Sequence, residues 1–166
     1  PDAPIKIIEF ADFLCPACQS FKPEINSLIE NEVAEGRALL EYRMVITAGG
    51  ETMRYAGQMA ECAEILQPGS FWVAYENLFD MAVKNQLTLD SSATFAQRMG
   101  LNQGELISCT RTATQVQTDI RYASSLGVDS TPQVWIQVGE GRPQPLPGPR
   151  TYEGIKAVID TFQALQ

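Results

Sequence analysis

The chain has 166 residues, 45% hydrophobic and 19% charged, enough for one well-filled core with an inserted subdomain. Twelve Lys and Arg against twenty Asp and Glu leave a net charge of -8, which argues against nucleic acid or an anionic membrane surface as a partner. No apolar run approaches the roughly 18 residues of a membrane span. No signal peptide is visible, and the start at Pro1 rather than Met leaves room for a removed N-terminal signal or membrane anchor.

Residues 5–10, Ile-Lys-Ile-Ile-Glu-Phe, form a β-rich apolar run, and from Cys18 onward apolar residues recur at helical spacing. Cys15-Pro16-Ala17-Cys18 therefore sits where a strand hands over to a helix. Pro16 fits the first helical turn at no cost in hydrogen bonds. Unpaired N–H groups and the positive helix end there favour an anion, the thiolate of Cys15. Cys18, one turn on, is placed to attack a mixed disulfide formed at Cys15. A structural zinc site is disfavoured, since it wants four ligands, the chain has no His, and Cys62 and Cys109 stand alone. Two inert buried cysteines would not need Pro between them at a helix start.

Phe21, Ile25, Leu28, Ile29 and Val33 carry the helix to about Gly36, with Pro23 inside it as a source of a kink. Residues 38–46 read as a second buried strand, completing a βαβ unit with parallel strands. The texture then changes, and residues 49–126 read as a helical insertion. Its expected helices cover 53–66, 70–84, 92–99 and one long stretch from Gln103 to Leu126, with Asn102 as a cap. Phe71, Trp72, Tyr75, Leu78 and Phe79 follow the 3.6-residue period and are read as core. Gly127 stops the last of these helices. Thr131-Pro132 leads into a strand over 133–138, and the Pro-rich 142–147 suits only a short edge strand. Thr151 looks like the N-cap of a final helix.

This order resembles a thioredoxin fold with an inserted all-helical subdomain, as in the DsbA-like thiol–disulfide oxidoreductases. Its fold class is α/β, with a discontinuous thioredoxin-like domain over 1–48 and 127–166 around the insertion at 49–126. The likeness rests on residues 9–13 before Cys15-Pro16-Ala17-Cys18, Pro23, Phe71-Trp72 ahead of Leu78-Phe79, and Leu126-Gly127-Val128 before Thr131-Pro132.

The resemblance implies that Cys15 is the exposed nucleophile and Cys18 the shielded resolving thiol. It implies that Thr131-Pro132 is a cis peptide facing them and pairs with an extended substrate. It places Glu9 where the family carries a buried acid beneath the disulfide, and Glu9 is read with Cys15 and Cys18 as catalytic, a proton acceptor for Cys18; the alternative is an outward-facing strand residue. It allows Cys62 and Cys109 to form a structural disulfide, and four cysteines suit an oxidising compartment. The expected activity is exchange of the Cys15–Cys18 disulfide with cysteines of unfolded, exported polypeptides, as a dithiol oxidase, with no bound cofactor or metal. A DsbB-like or VKOR-like membrane partner would re-oxidise a monomeric protein in the periplasm or cell envelope. One departure matters: strong oxidants of the family carry His at the position of Ala17, so a weaker oxidant is expected here. The direction of exchange stays open to a reductase, and a non-catalytic peptide-binding or chaperone module of the same fold is the alternative from another class.

Overall fold

The computed structural model describes residues 5–164, so the expectation drawn at Pro1 lies outside the described residues. Strand β1 (Ile5–Ala11) runs into helix α1 (Pro16–Leu28), which continues as a π-helical turn (Ile29–Val33) before strand β2 (Leu39–Met44). Five helices follow, α2 (Gly50–Leu66), α3 (Phe71–Val83), α4 (Ser92–Met99), α5 (Gln103–Thr110) and α6 (Gln115–Leu126). The chain closes with β3 (Gln133–Val138), a two-residue β4 (Gln144–Pro145) and α7 (Tyr152–Gln163). This is the expected α/β order, with the helical insertion between β2 and β3.

The four strands lie in the order β2-β1-β3-β4, with β1 and β2 parallel and the other two pairs antiparallel. Both faces of the sheet are covered, and strand alternation decides which residues go where. Ile5, Ile7, Ala11, Val134 and Ile136 enter the large core with α1, α7 and the insertion. Ile8, Phe10 and Trp135 point the other way and pack with Val45, Ala123 and Val128, flanked by Tyr122 and Leu126 of α6. The large core is continuous across the insertion, because Phe13 and Tyr42 stack against Tyr75 and Phe79 of α3 at centroid distances of 5.0–6.5 Å.

Two expectations need correction. The long helix over 103–126 is two helices broken at residues 111–114. Thr110, Thr112 and Thr114 make this stretch a weak helix former. The decisive partner is remote: the Glu61 carboxylate on α2 accepts the backbone N–H of Thr114 at 3.2 Å and of Gln115 at 2.8 Å, capping α6. Trp72, read as core, is 38% exposed and leaves the packing to Tyr75, Leu78 and Phe79. The caps match better. Asn102 accepts the Glu105 N–H at 3.1 Å, Thr151 accepts that of Gly154 at 3.1 Å, and Gly127 closes α6 in the left-handed conformation at φ 79°.

Candidate active site

Cys15 is the residue before the first turn of α1, in extended conformation at φ -75° and ψ 119°, with Pro16 following. Its N–H donates to the Asp12 carbonyl at 3.1 Å, and its carbonyl accepts from Gln19 at 3.0 Å. The Gln19 side chain donates back to the Phe13 carbonyl at 2.9 Å, closing the loop that presents the thiol. Pro16 and Ala17 are exposed, but Cys15 itself is only 8% exposed, against the expectation of an open nucleophile, and Cys18 is fully buried. The loop at 131–132 reaches the Cys15 thiol.

There the Thr131–Pro132 bond is cis, and the Cys15 thiol donates to the Thr131 carbonyl across 3.6 Å. Burial pushes the Cys15 thiol up. The Thr131 side chain and the backbone N–H groups of Cys18 and Ala17 outweigh it, and the net shift is downward. Cys18 goes the other way, pushed up to about 12 chiefly by burial. The two sulfurs are thus unequal: the Cys15 thiol gives up its proton more readily than an ordinary cysteine, and the Cys18 thiol less readily. A cleft of about 290 Å³ beside them is lined by Ala17, Ser20, Phe21, Glu24, Pro132 and Arg150. Arg150 also donates to the Pro132 carbonyl and braces the loop.

Sequence reading missed the support of this loop. Asp12 is fully buried, and one of its carboxylate oxygens accepts the N–H groups of Thr47, Ala48 and Gly49 at 2.8–2.9 Å. The other accepts that of Leu14 at 2.8 Å. Thr47 Oγ1 in turn lies 2.5 Å from Thr131 Oγ1, so Asp12 joins the dithiol loop, the entry to α2 and the loop before β3. Gly49 must be glycine, because a Cβ there would lie 2.5 Å from Leu14 and 2.6 Å from Met53. Only the acidic residue three positions before Cys15 hinted at this.

Glu9 is fully buried and shares the face of Ile5 and Ile7, opposite Ile8 and Phe10. Burial pushes its carboxyl up to about 8, only partly countered by Lys22. Neither of its oxygens finds a hydrogen-bond partner among the described residues. Cys62 on α2 and Cys109 on α5 are joined in a disulfide with Cα atoms 5.8 Å apart. That bridge ties two insertion helices together, and the dithiol consists of Cys15 and Cys18, both free. Among the described residues no cluster of His, Cys, Asp and Glu could hold a metal ion, and no helix is long and apolar enough to cross a membrane.

A thioredoxin family model matches residues 1–161. Among curated proteins, the chain is 22% identical over 142 residues to Disulfide bond formation protein D of Bacillus subtilis, covering 81% of this chain and 64% of that one. It is 25% identical over 162 residues to Na(+)/H(+) antiporter NhaA 3 of Salinispora tropica, a match covering 95% of this chain and 23% of the antiporter. The chain therefore spans less than two thirds of the length of these two relatives. Among solved structures it superposes on oxidised BdbD from Bacillus subtilis with a TM-score of 0.81 and 21% identity, covering 96% of this chain and 88% of that one. DsbA2 of Pseudomonas aeruginosa gives a TM-score of 0.75 and 25% identity, with 96% and 89% covered.

Proposed function

The chain belongs to the thioredoxin family, and from that premise we propose that it is a DsbA-like protein thiol–disulfide oxidoreductase acting through Cys15 and Cys18. The observation that carries the reading is the inequality of the two sulfurs. Cys15 is lowered and touches the Thr131 carbonyl, while Cys18 is buried and raised to about 12. A thiolate at Cys15 accepts or releases the mixed disulfide, and Cys18 resolves it. In the oxidising direction a substrate thiolate attacks Cys15, the Cys15–Cys18 bond breaks, and the electron pair leaves on Cys18. A second substrate thiolate then attacks the substrate sulfur of the mixed disulfide and expels Cys15 as thiolate.

Glu9 is the proton partner of Cys18 in this reading. At neutral pH its carboxyl still holds its proton, as a raised value of about 8 implies, and can give it to a departing Cys18 thiolate. The cleft beside Pro132 and the exposed edge at Ala17 suit an extended cysteine-bearing polypeptide, with Thr131 and Pro132 as its contact. The Cys62–Cys109 disulfide favours an extracytoplasmic setting, where such bridges persist. In that setting a DsbB-like or VKOR-like membrane partner re-oxidises the monomeric protein, exported polypeptides are its substrates, and dithiol oxidation is the physiological direction.

The test is oxidative refolding of a reduced, unfolded protein, and insulin reduction, with wild type and Cys15→Ser. Loss of both activities with retained binding of an extended peptide is the expected result. Turnover unchanged by the substitution defeats the enzyme reading, and peptide binding by a wild-type protein that turns nothing over leaves the chaperone module. Ala17, which offers no imidazolium to hold the thiolate, favours the reductase as second reading. A Cys15–Cys18 potential near that of thioredoxin, about -270 mV, supports reduction, and one far above it supports oxidation.

A further inference from the structure

Arg150 lies on the loop between β4 and α7, and its guanidinium donates to the Pro132 carbonyl, one residue beyond the Thr131 carbonyl that the Cys15 thiol touches. A guanidinium has five N–H donors, and this is the one hydrogen bond that Arg150 makes among the described residues. Of the twelve Lys and Arg, only Arg111, Arg121, Arg142 and Arg150 lie in no ion pair among the described residues. Of those, Arg150 alone lines the cleft at the dithiol. In a chain with a net charge of -8, this cation has been left without a carboxylate of its own.

Arg150 lines two clefts at once. With Ala17, Ser20, Phe21 and Glu24 it borders the cleft of about 290 Å³ over α1, and with Ser130, Gln133, Val134 and Leu146 it borders another of about 420 Å³ toward β3 and β4. A polypeptide joined to Cys15 and lying along Thr131 runs beside Arg150, since the guanidinium is held on the next residue of that loop. Glu24 is the one carboxylate lining the first cleft, and it is engaged elsewhere: its Oε2 accepts the Tyr152 N–H at 2.6 Å, at the start of α7. Arg150 is therefore the charged group left open to a ligand. Its bond to Pro132 already orders the side chain, so less rotamer freedom is lost when a partner arrives.

We propose that Arg150 selects substrates, so that the site prefers polypeptides carrying an Asp or Glu within about two residues of the reacting cysteine, on the flank that lies over Arg150. This rests on the oxidoreductase reading and names its substrate class. Two residues of extended chain span about 7 Å, a reach suited to the single-residue step from the Thr131 carbonyl at Cys15 to the Pro132 carbonyl at Arg150. In the exchange a substrate thiolate attacks the Cys15 sulfur and forms a new S–S bond. The Cys15–Cys18 bond breaks, and its electron pair leaves on Cys18. The substrate carboxylate makes and breaks no bond in this step; it holds the chain in place through paired contacts with the guanidinium fork. Arg150 is a specificity residue that touches substrate away from the reacting sulfurs. The preference is local, because the net charge of -8 repels an acidic segment elsewhere on the surface.

The experiment follows opening of the Cys15–Cys18 disulfide by short single-cysteine peptides, read by acid quench, alkylation and mass spectrometry. Glu, or its isostere Gln, is placed at each of the two positions on either side of the cysteine and at one distant position. Rates are normalised to peptide thiolate, because a neighbouring carboxylate raises the thiol pKa. In wild type, Glu on one flank opens the disulfide about three- to tenfold faster than Gln at the same position, and high salt erodes the gain. The distant Glu gives none. Arg150→Gln brings the Glu-to-Gln ratio to about one, Arg150→Lys keeps part of it, and Arg150→Glu reverses it in favour of a Lys peptide. Ratios decide rather than absolute rates, because loss of the brace on Pro132 slows every peptide alike. A wild-type ratio near one at all flanking positions overturns the selection whether or not the variants fold. A ratio that Arg150→Gln leaves unchanged, or one that is equal at near and distant positions, overturns it too. A disulfide that no peptide opens defeats the oxidoreductase reading and the selection together, whereas opening at equal rates by all peptides defeats the selection alone.

Discussion

Glu9 and Asp12 are two carboxylates three residues apart, both fully buried, one within β1 and one just after it, and they have opposite surroundings. Asp12 accepts four backbone N–H groups from two loops, while Glu9 accepts none. The difference follows from where the chain goes next. Asp12 lies where the strand has ended and loop amides converge, so its lone pairs are taken and it acts as a clamp. Glu9 lies mid-strand, where the amides are used in the sheet ladder, and it faces aromatic rings. A carboxylate with donors holds structure, and one without them keeps its proton to a higher pH.

Breaking the clamp is the largest effect expected. Asp12→Ala orphans four amide donors at about 1–3 kcal/mol each, partly relieved by water, and costs about 5–6 kcal/mol by chemical denaturation. Asp12→Asn keeps acceptor oxygen and costs less. An Asp12→Ala protein as stable as wild type erases the contrast between the two carboxylates.

Glu9 gives the next effect, and its signature is pH dependence. Its carboxyl titrates near 8 in the folded chain against an ordinary value of 4.5, so between these values the unfolded chain has released a proton that the folded chain keeps. Stability therefore falls as pH rises from 4.5 to about 8 and is flat above, a total of up to about 4–5 kcal/mol from this group. Glu9→Gln removes that slope, and the difference between the two stability curves isolates it. A curve with the same slope in both proteins contradicts the buried, unpartnered state of Glu9.

Helix α2 sharpens the contrast from its other end. Asp12 fixes its start at Gly49, whereas Cys62 ties its later turns to Cys109 on α5. Opening the disulfide with the pair Cys62→Ala and Cys109→Ala lowers stability by about 2–4 kcal/mol from chain entropy, less than the loss of Asp12, and leaves disulfide exchange in place. Thiol counting on the denatured, unreduced protein checks the bridge first.

The smallest effect sits at the sulfur itself. Thr131→Val removes the hydroxyl that most lowers the Cys15 thiol and that contacts Thr47 of the Asp12 clamp. The Cys15 pKa then rises, read from the pH dependence of its alkylation, with stability lower by about 1 kcal/mol. An unchanged alkylation profile assigns the lowering to the amides of the helix start alone.

The fold was legible because its signals are local. A β-rich apolar run marked β1, the 3.6-residue period marked α3, Asn102 and Thr151 marked helix starts, and Gly127 marked a helix end. Failures came where a remote partner decided. Nothing between Gln103 and Leu126 announces that Glu61 will cap a new helix at Gln115. The period that places Trp72 beside Tyr75 does not say that the core ends before reaching it.

By itself the sequence determined a pair of cysteines at a strand-to-helix junction, a Thr-Pro step before a late strand, and the order of elements joining them, because each depends on residues adjacent in the chain. Only the tertiary structure decided how little of Cys15 is open, and which of two acidic residues became a clamp and which stayed without donors. The physical reason is that burial and hydrogen-bond satisfaction belong to groups far apart in sequence, and a side chain's chemistry in the core is set by those neighbours.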